Sequence, residues 1–355
     1  MSNMKETLSS LHHGVFYEIV RLFAHKLEAP VYLFIYERIG KIILSIFGGK
    51  EYTWIGWCIG FIATDFCYYW IHRLKHEVHV LWLFHQVHHS SEAFDLPVGV
   101  RQSVVELLYD FMLYSPLAVF INPYYIIKTR ELIYLYNLLI HTEVIGKLGP
   151  LEWIFNTPNH HCVHHAGNEY CLDKNYGGVF IIWDHMFHTF EVKEECTNIF
   201  YGLPTSPMCY FVFYQQIFGV IYFIVDQKEK LMPWKKYWFK ILFYGPRWQL
   251  HLPRLGSPRC KKARKLHEDK DKSFQNYWNI HYICYIYFLL IINALEIYSL
   301  RNMDFFHLRI ARAYENLNVT LCSFASFLED RRIICIMINF GRSYLLYAVY
   351  YDSPK

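Results

Sequence analysis

The chain has 355 residues, of which 54% are hydrophobic and 19% aromatic, whereas only 19% are charged. Its net charge of +4 is too small to indicate a nucleic-acid partner, and its ten cysteines include no C-x-x-C pair, which excludes a zinc ribbon and a disulfide framework. Apolar blocks rich in aromatic residues suit a bilayer and its interfaces. We therefore expect an all-α, multi-pass membrane bundle with a substantial aqueous portion.

Apolar segments recur along the chain and suggest three regions. The segments long enough to span a membrane or to lie in its interface are 31–48, 53–71, 104–127, 131–146, 207–225 and 278–298. Residues 53–71 are the best spanning candidate, with Asp65 as their one charge. We predict an N-terminal interfacial or membrane segment (1–50), a histidine-rich domain with transmembrane helices (51–205) and a C-terminal membrane and basic-loop region (206–355).

Three histidine sets stand out in the predicted domain 51–205. One set has the spacing H-x-x-x-H, and the other two have the spacing H-x-x-H-H. The first set is His72 and His76, the second His85, His88 and His89, and the third His161, His164 and His165. Positions i, i+3 and i+4 of a helix share a face, so each set is predicted to direct its imidazoles to one side. Neutral imidazole is the commonest metal ligand, and eight are too many for one tetrahedral zinc. The sets therefore suit two metal ions, which could be iron, copper, nickel or zinc.

The sets can meet only if they lie on one side of a membrane. Two apolar segments separate His89 from His161, and two crossings would return the chain to its starting side. Basic residues favour the cytosolic face; those near the histidines are Arg73, Lys75 and Arg101, with a basic loop at 227–272. We therefore predict a shared metal site on the cytosolic face.

The histidine spacings and the stretches around them resemble a known superfamily. The stretches are DFCYYWIHRLKHE, HQVHHSSE, IHTEVI, LGPLEWIFNTPNHHCVHH and YCLDKNYGGVFIIWD, within residues 52 to 202. They resemble the membrane fatty acid hydroxylase/sterol desaturase superfamily, whose histidine boxes surround a non-haem di-iron centre. Within it, they are most similar to the tetrahydrobiopterin-dependent monooxygenases of ether lipids. A weaker likeness extends to about residue 256.

The resemblance implies roles for individual residues. It implies two irons per chain held by the eight histidines, with His141 as a further metal-proximal histidine, and tetrahydrobiopterin and O2 as cofactors. It also implies that Glu77 acts in catalysis and cofactor binding. The residues expected to orient imidazoles are Asp173, Asn175 and Asp184 on the resemblance, and Asp65 because a charge in a spanning segment is costly unless it has a partner.

The activity that the resemblance implies is cleavage of the O-alkyl ether bond of an alkylglycerol or lyso ether lipid to a fatty aldehyde and a glycerol derivative. The implied place is the endoplasmic reticulum membrane, with pterin-recycling enzymes as indirect partners. The alternative is a sterol or fatty-acyl hydroxylase or desaturase of the same superfamily that takes electrons from a cytochrome. A zinc hydrolase and a metal carrier are weaker candidates. His185 and His188 depart from the pattern, which has lysine and glycine there.

Overall fold

The computed structural model describes most of the histidine-rich region. The described residues are 4–46, 53–194, 198–203, 210–229 and 234–256. The predicted apolar segment 278–298 lies outside them, as does much of the basic loop 227–272. The chain divides into two compact units, Met1–Ser206 with Gln216–Arg264, and Pro207–Gln215 with Lys265–Lys355. All three histidine sets lie in the first unit.

The regular elements of the described residues are helices, which confirms the predicted all-α class for this part of the chain. The α-helices are α1 (Met4–Ile35), α2 (Lys41–Ile46), α3 (Trp54–Glu77), α4 (His79–His85), α5 (Glu106–Tyr114), α6 (Pro123–Ile140), α7 (Pro158–His165), α8 (Ile182–Met186), α9 (Val212–Glu229) and α10 (Trp234–Phe243). Pairing between extended segments in the described part is limited to isolated bridges such as Phe155 with Phe180. Among the described helices, none combines the length and the apolar character needed to cross a membrane.

The two segments predicted between the second and third histidine sets have other boundaries in the structure. Segment 104–127 is not continuous, because α5 ends at Tyr114 and a short 3-10 turn follows. Pro116 in that turn has no N–H to continue the α-helix. Helix α6 begins anew at Pro123, where proline is well tolerated, and takes in the first part of segment 131–146.

Helices α3 and α6 pack closely and carry histidines towards the same region. A Cβ atom on Gly60 would lie 2.9 Å from Cβ of Tyr125, so only glycine allows this approach. The Tyr125 hydroxyl accepts a hydrogen bond from Thr53 N at 2.9 Å and donates to Thr53 O at 3.1 Å. The contact fixes the relation between the first histidine set, near the end of α3, and His141, which directly follows α6.

Candidate metal centre

The second histidine set does not lie on one helical face. Helix α4 ends at His85, and His88–Ser90 form a 3-10 turn. A 3-10 turn has three residues per turn, so the angular spacing of the side chains differs from that of an α-helix. The prediction of a shared face for this set is therefore wrong, and His88 joins a different group from His85 and His89.

The third set lies on α7, an eight-residue helix that begins at Pro158. All three of its histidines are buried. His161 and His165 are one turn apart and belong to one group, whereas His164 belongs to the other. The third set, like the second, is therefore divided between two groups.

Nine buried histidines form two groups, each able to hold a metal ion. Within each group the ligand nitrogens all lie within 4.8 Å of one another. The first group is His72, His76, His85, His89 and His164. The second group is His88, His141, His161 and His165. The structure thus brings His141 together with the eight box histidines.

The second group places imidazole nitrogens very close together. Nε2 of His141 lies 3.0 Å from Nε2 of both His161 and His165, and 3.3 Å from Nε2 of His88. The Nδ1 atoms of His141 and His88 lie 2.6 Å and 3.2 Å from the carbonyl oxygens of Asn137 and Arg101. A carbonyl only accepts, so these Nδ1 atoms carry the protons and both Nε2 atoms present lone pairs. Two facing lone pairs repel each other unless a cation lies between them.

In the first group, too, hydrogen bonds to main-chain carbonyls define the tautomers of the imidazoles. Nδ1 of His72 donates to Tyr176 O at 2.9 Å, and Nδ1 of His164 donates to Lys174 O at 2.8 Å. The buried Nε2 atoms without a hydrogen-bond partner in this group are those of His76, His85, His89 and His164. An unsatisfied buried polar atom costs about 1–3 kcal/mol. Four of them around one space fit a bound metal ion.

Burial also sets the protonation state that metal binding requires. Desolvation lowers the pKa of His141 to about 4 and that of His164 to about 3. It also lowers the pKa of His161 and His165, and neighbouring histidines add to the effect. These imidazoles are therefore neutral near pH 7, as a metal ligand must be.

Sequence comparisons agree with this site. Residues 57–189 match the family model for fatty acid hydroxylase. All nine grouped histidines lie within these matched residues. It is similar to the alkylglycerol monooxygenases of Homo sapiens (40% identical over 71% of this chain and 55% of that protein), Xenopus tropicalis (38%, over 72% and 55%) and Danio rerio (35%, over 75% and 58%). The chain thus spans little more than half the length of these relatives, and no solved structure matches it.

Three predicted carboxylate and amide residues hydrogen-bond to the main chain rather than to imidazoles. Asp184 accepts hydrogen bonds from Tyr176 N at 2.8 Å, Gly177 N at 2.7 Å and the Thr189 hydroxyl at 2.7 Å. Asp65 accepts from Val179 N at 2.7 Å, Phe180 N at 3.2 Å and Trp183 Nε1 at 2.9 Å. Asn175 donates to the carbonyls of His160 and Glu191 and accepts from Glu191 N.

The prediction that these three residues orient imidazoles directly is therefore wrong. Asp65 and Asp184 fix the segment 176–183, and this segment supplies the carbonyl of Tyr176 that holds His72. Asn175 ties the preceding residues to the loop around Glu191. Their effect on the histidines passes through the main chain.

Asp173 and Glu77 lie in ion pairs with arginines from the segment after α10. Asp173 Oδ2 pairs with Arg247, while its Oδ1 lies 3.7 Å from Nδ1 of His76, too far for a hydrogen bond. Glu77 accepts from Arg73 Nε at 2.7 Å and also pairs with Arg254. Both oxygens of the Glu77 carboxylate are thus engaged by guanidinium groups.

The sequence reading missed two buried residues of the domain. Glu106, a charged residue within the apolar segment 104–127, accepts from Nδ1 of His85 at 3.1 Å. Asn156 donates to Gly177 O at 2.6 Å and so supports segment 176–183 from a second side. The signal for Glu106 was its charge among apolar residues, since a buried carboxylate needs a partner.

Four of the described histidines outside both groups are His79, His160, His185 and His188. Nδ1 of His79 bonds to the carbonyl of Ile241, and the His185 ring stacks on Phe190. His188 has a φ of 59°, the left-handed region that favours glycine. This conformation explains why the superfamily pattern has glycine at that position.

A cavity of about 270 Å³ adjoins both histidine groups. It touches two members of the first group, His72 and His85, and two of the second, His88 and His141. Its further wall includes charged side chains, such as Lys75 and Asp110, beside apolar ones. A small molecule in this cavity would lie next to both candidate metal positions.

Proposed function

We propose that the chain is a non-haem di-iron monooxygenase that cleaves the O-alkyl ether bond of alkylglycerols. The observation that carries the proposal is the arrangement of nine buried histidines in groups of five and four, within a fatty acid hydroxylase domain. The name of these relatives, alkylglycerol monooxygenase, supports the choice of substrate.

The first group would hold one iron and the second group the other. Bound there, the irons would supply activation of O2 and oxidation of the carbon beside the ether oxygen. One oxygen atom enters the C–H bond of that carbon and the other leaves as water, with two electrons and two protons from the reductant. The hydroxylated ether is a hemiacetal, and it separates into a fatty aldehyde and a glycerol derivative.

The chain's own residues would position the substrate and keep water away. The cavity beside both groups is the proposed place for the reacting ether. Ile71, Leu107 and Ile133 give it apolar walls, while Lys75 and Asp110 offer polar contacts to glycerol hydroxyl groups. Segment 176–183, held by Asp65 and Asp184, would keep His72 directed at the site.

The proposed reductant is tetrahydrobiopterin, on the resemblance of the sequence motifs. Glu77 remains the proposed residue for its use. Because Arg73 and Arg254 hold both carboxylate oxygens, Glu77 would act by positioning these two arginines rather than as a free base. The alternative, a sterol or fatty-acyl oxidase supplied by a cytochrome, is less well supported, since the relatives above are named alkylglycerol monooxygenases.

The proposed location is the endoplasmic reticulum membrane, with the metal site facing the cytosol. Apolar side chains exposed at one face of α3 and one face of α6 support contact with lipid. They are Ile55, Ile59 and Ile62 on α3, and Leu132, Leu135 and Leu139 on α6. Such stripes are unfavourable in water, and a lipid substrate would reach the cavity from the same environment.

The test is purification under anaerobic conditions, iron analysis, and oxygen uptake with an alkylglycerol in the presence and absence of tetrahydrobiopterin. We expect two irons per chain and pterin-dependent formation of fatty aldehyde. His164→Ala and His88→Ala, one from each group, should each abolish turnover while the protein is still made. Turnover with a cytochrome but not with the pterin would favour the alternative, and full activity of either variant would refute the metal site.

A further inference from the structure

The two histidine groups differ in the atoms that hold their ligands. In the second group, the nearest Nδ1 partners of His88 and His141 are main-chain carbonyls. In the first group, His72 and His164 also bond to carbonyls, but Nδ1 of His85 donates to the carboxylate of Glu106 at 3.1 Å. Among the partners described, this carboxylate is the one anionic group in hydrogen-bond contact with a grouped histidine.

Glu106 is fixed by a buried chain of charges. It is 2% exposed, and its second oxygen accepts from Nζ of Lys75. Lys75 is itself buried and also donates to Asp110 Oδ2 at 2.9 Å. Charge-assisted hydrogen bonds of this kind hold a carboxylate in one orientation. Glu106 therefore cannot turn away from His85 without leaving an ammonium partner.

A carboxylate behind a ligating imidazole does more than orient it. It fixes the tautomer, so that Nε2 of His85 presents its lone pair, and it raises the basicity of the ring. The carboxylate of Asp173, 3.7 Å from Nδ1 of His76, adds negative charge beside the same group. In the second group, the described Nδ1 partners of His88 and His141 are neutral: main-chain carbonyls and, for His88, also the side-chain amide of Gln102 at 3.4 Å.

We propose that Glu106, anchored by Lys75, is a positioning residue that makes the five-histidine position electronically distinct from the four-histidine position and sets its metal affinity. This inference rests on the proposed metal centre. Loss of such a partner typically costs 10–100-fold in metal affinity. Glu106→Gln should therefore weaken metal binding at the first group selectively.

The experiment loads the wild-type protein and its variants with ⁵⁷Fe(II) under anaerobic conditions and records iron content and Mössbauer spectra. The wild type should give two quadrupole doublets of equal area at two irons per chain. At limiting iron, Glu106→Gln should approach one iron per chain, with one doublet lost. At saturating iron that doublet should return with altered parameters.

Two control variants distinguish a selective effect at the first group from general damage to the fold. Asp110→Asn removes the other partner of Lys75 without touching His85, so both doublets should remain. Glu169→Gln makes the same change of carboxylate to carboxamide at an exposed residue outside the site, and it should have no effect on the iron content or the spectrum. In Glu106→Gln, Lys75 keeps Asp110, so no buried ammonium is stranded. If that variant does not fold, Lys75→Met/Glu106→Gln removes both ions and should show the same selective loss.

The outcomes distinguish the inference from the proposed function. Wild-type protein that binds no iron would overturn both. Two irons in the wild type, with iron content and spectrum unchanged in Glu106→Gln, would overturn the role of Glu106 and leave the metal centre standing. An equal loss of both doublets in a folded variant would also overturn the inference, because the effect would not be selective.

Discussion

Replacement of Asp65 by asparagine tests how the domain holds its first histidine set. The carboxylate is fully buried and receives three donors, from Val179 N, Phe180 N and Trp183 Nε1. In its better orientation the asparagine oxygen would face Phe180 and Trp183, and its NH2 group would face the N–H of Val179. One charge-assisted hydrogen bond, worth about 1.5–3 kcal/mol, would be lost and a buried donor left unpaired. We therefore expect the free energy of unfolding to fall by about 3 kcal/mol.

Urea unfolding of the metal-free protein in detergent measures this loss, and a double-mutant cycle tests its origin. Trp183→Phe removes one donor to Asp65. The tryptophan bond is charge-assisted in the wild type but neutral in Asp65→Asn, so the two changes should couple by about 1 kcal/mol. Additive effects, or a loss below about 0.5 kcal/mol for Asp65→Asn, would refute the assignment of this carboxylate to segment 176–183. A correct assignment also predicts less iron at limiting metal, because Tyr176 O orients His72.

Three further predictions concern single positions. His188→Gly should stabilise the protein by up to about 1 kcal/mol, because glycine adopts the left-handed conformation at this position without strain. His185→Gly, inside α8, should destabilise the protein by about as much. Thermal unfolding of both variants measures the difference. The metal-free protein should lose stability as the pH falls below about 6.5, because His141 binds a proton in the unfolded chain but, with a pKa of about 4, not in the folded protein. At pH 5 the contribution of His141 to this loss is about 2 kcal/mol of the free energy of unfolding. Urea titrations of His141→Gln should show that this contribution is gone. Glu77→Gln should lower pterin-dependent turnover at least about tenfold while the iron content is kept. Its free energy of unfolding should change by less than about 1 kcal/mol, because the partner Arg254 is half exposed.

The histidine spacings predicted which residues converge but not how they divide. The second set crosses the end of α4 into a 3-10 turn and the third set lies on the continuous helix α7. Both sets nevertheless divide in the same way, with the i and i+4 histidines in one group and the i+3 histidine in the other. The division therefore depends on how each element is placed between the two groups, which tertiary packing decides and local spacing does not. Pro116 and Pro123 mark the places where the helix within segment 104–127 is interrupted. The apolar composition across both prolines nevertheless led to the prediction of one continuous segment.

The partners of the imidazoles were harder to predict for a chemical reason. Four of the identified Nδ1 partners are main-chain carbonyls, those of Arg101, Asn137, Lys174 and Tyr176, and a carbonyl leaves no mark in the side-chain sequence. Asp65 was recognisable as a costly charge that needs a partner, and Asp184 was recognisable through the resemblance. What they bind, however, is the main chain that presents the carbonyls, one step away from the histidines.

The division of the histidine sets has a consequence for assembly. Each H-x-x-H-H set contributes ligands to both groups: His85 and His89 to one and His88 to the other, then His164 to one and the remaining pair of α7 to the other. A change in the position of α7 or of the 3-10 turn therefore disturbs both groups at once. Metal binding that requires the folded arrangement adds its free energy to folding. Because the same short elements supply both groups while no histidine is shared, displacement of α7 or of the 3-10 turn should lower the iron content of both groups, whereas loss of a partner of one imidazole should lower it at one group.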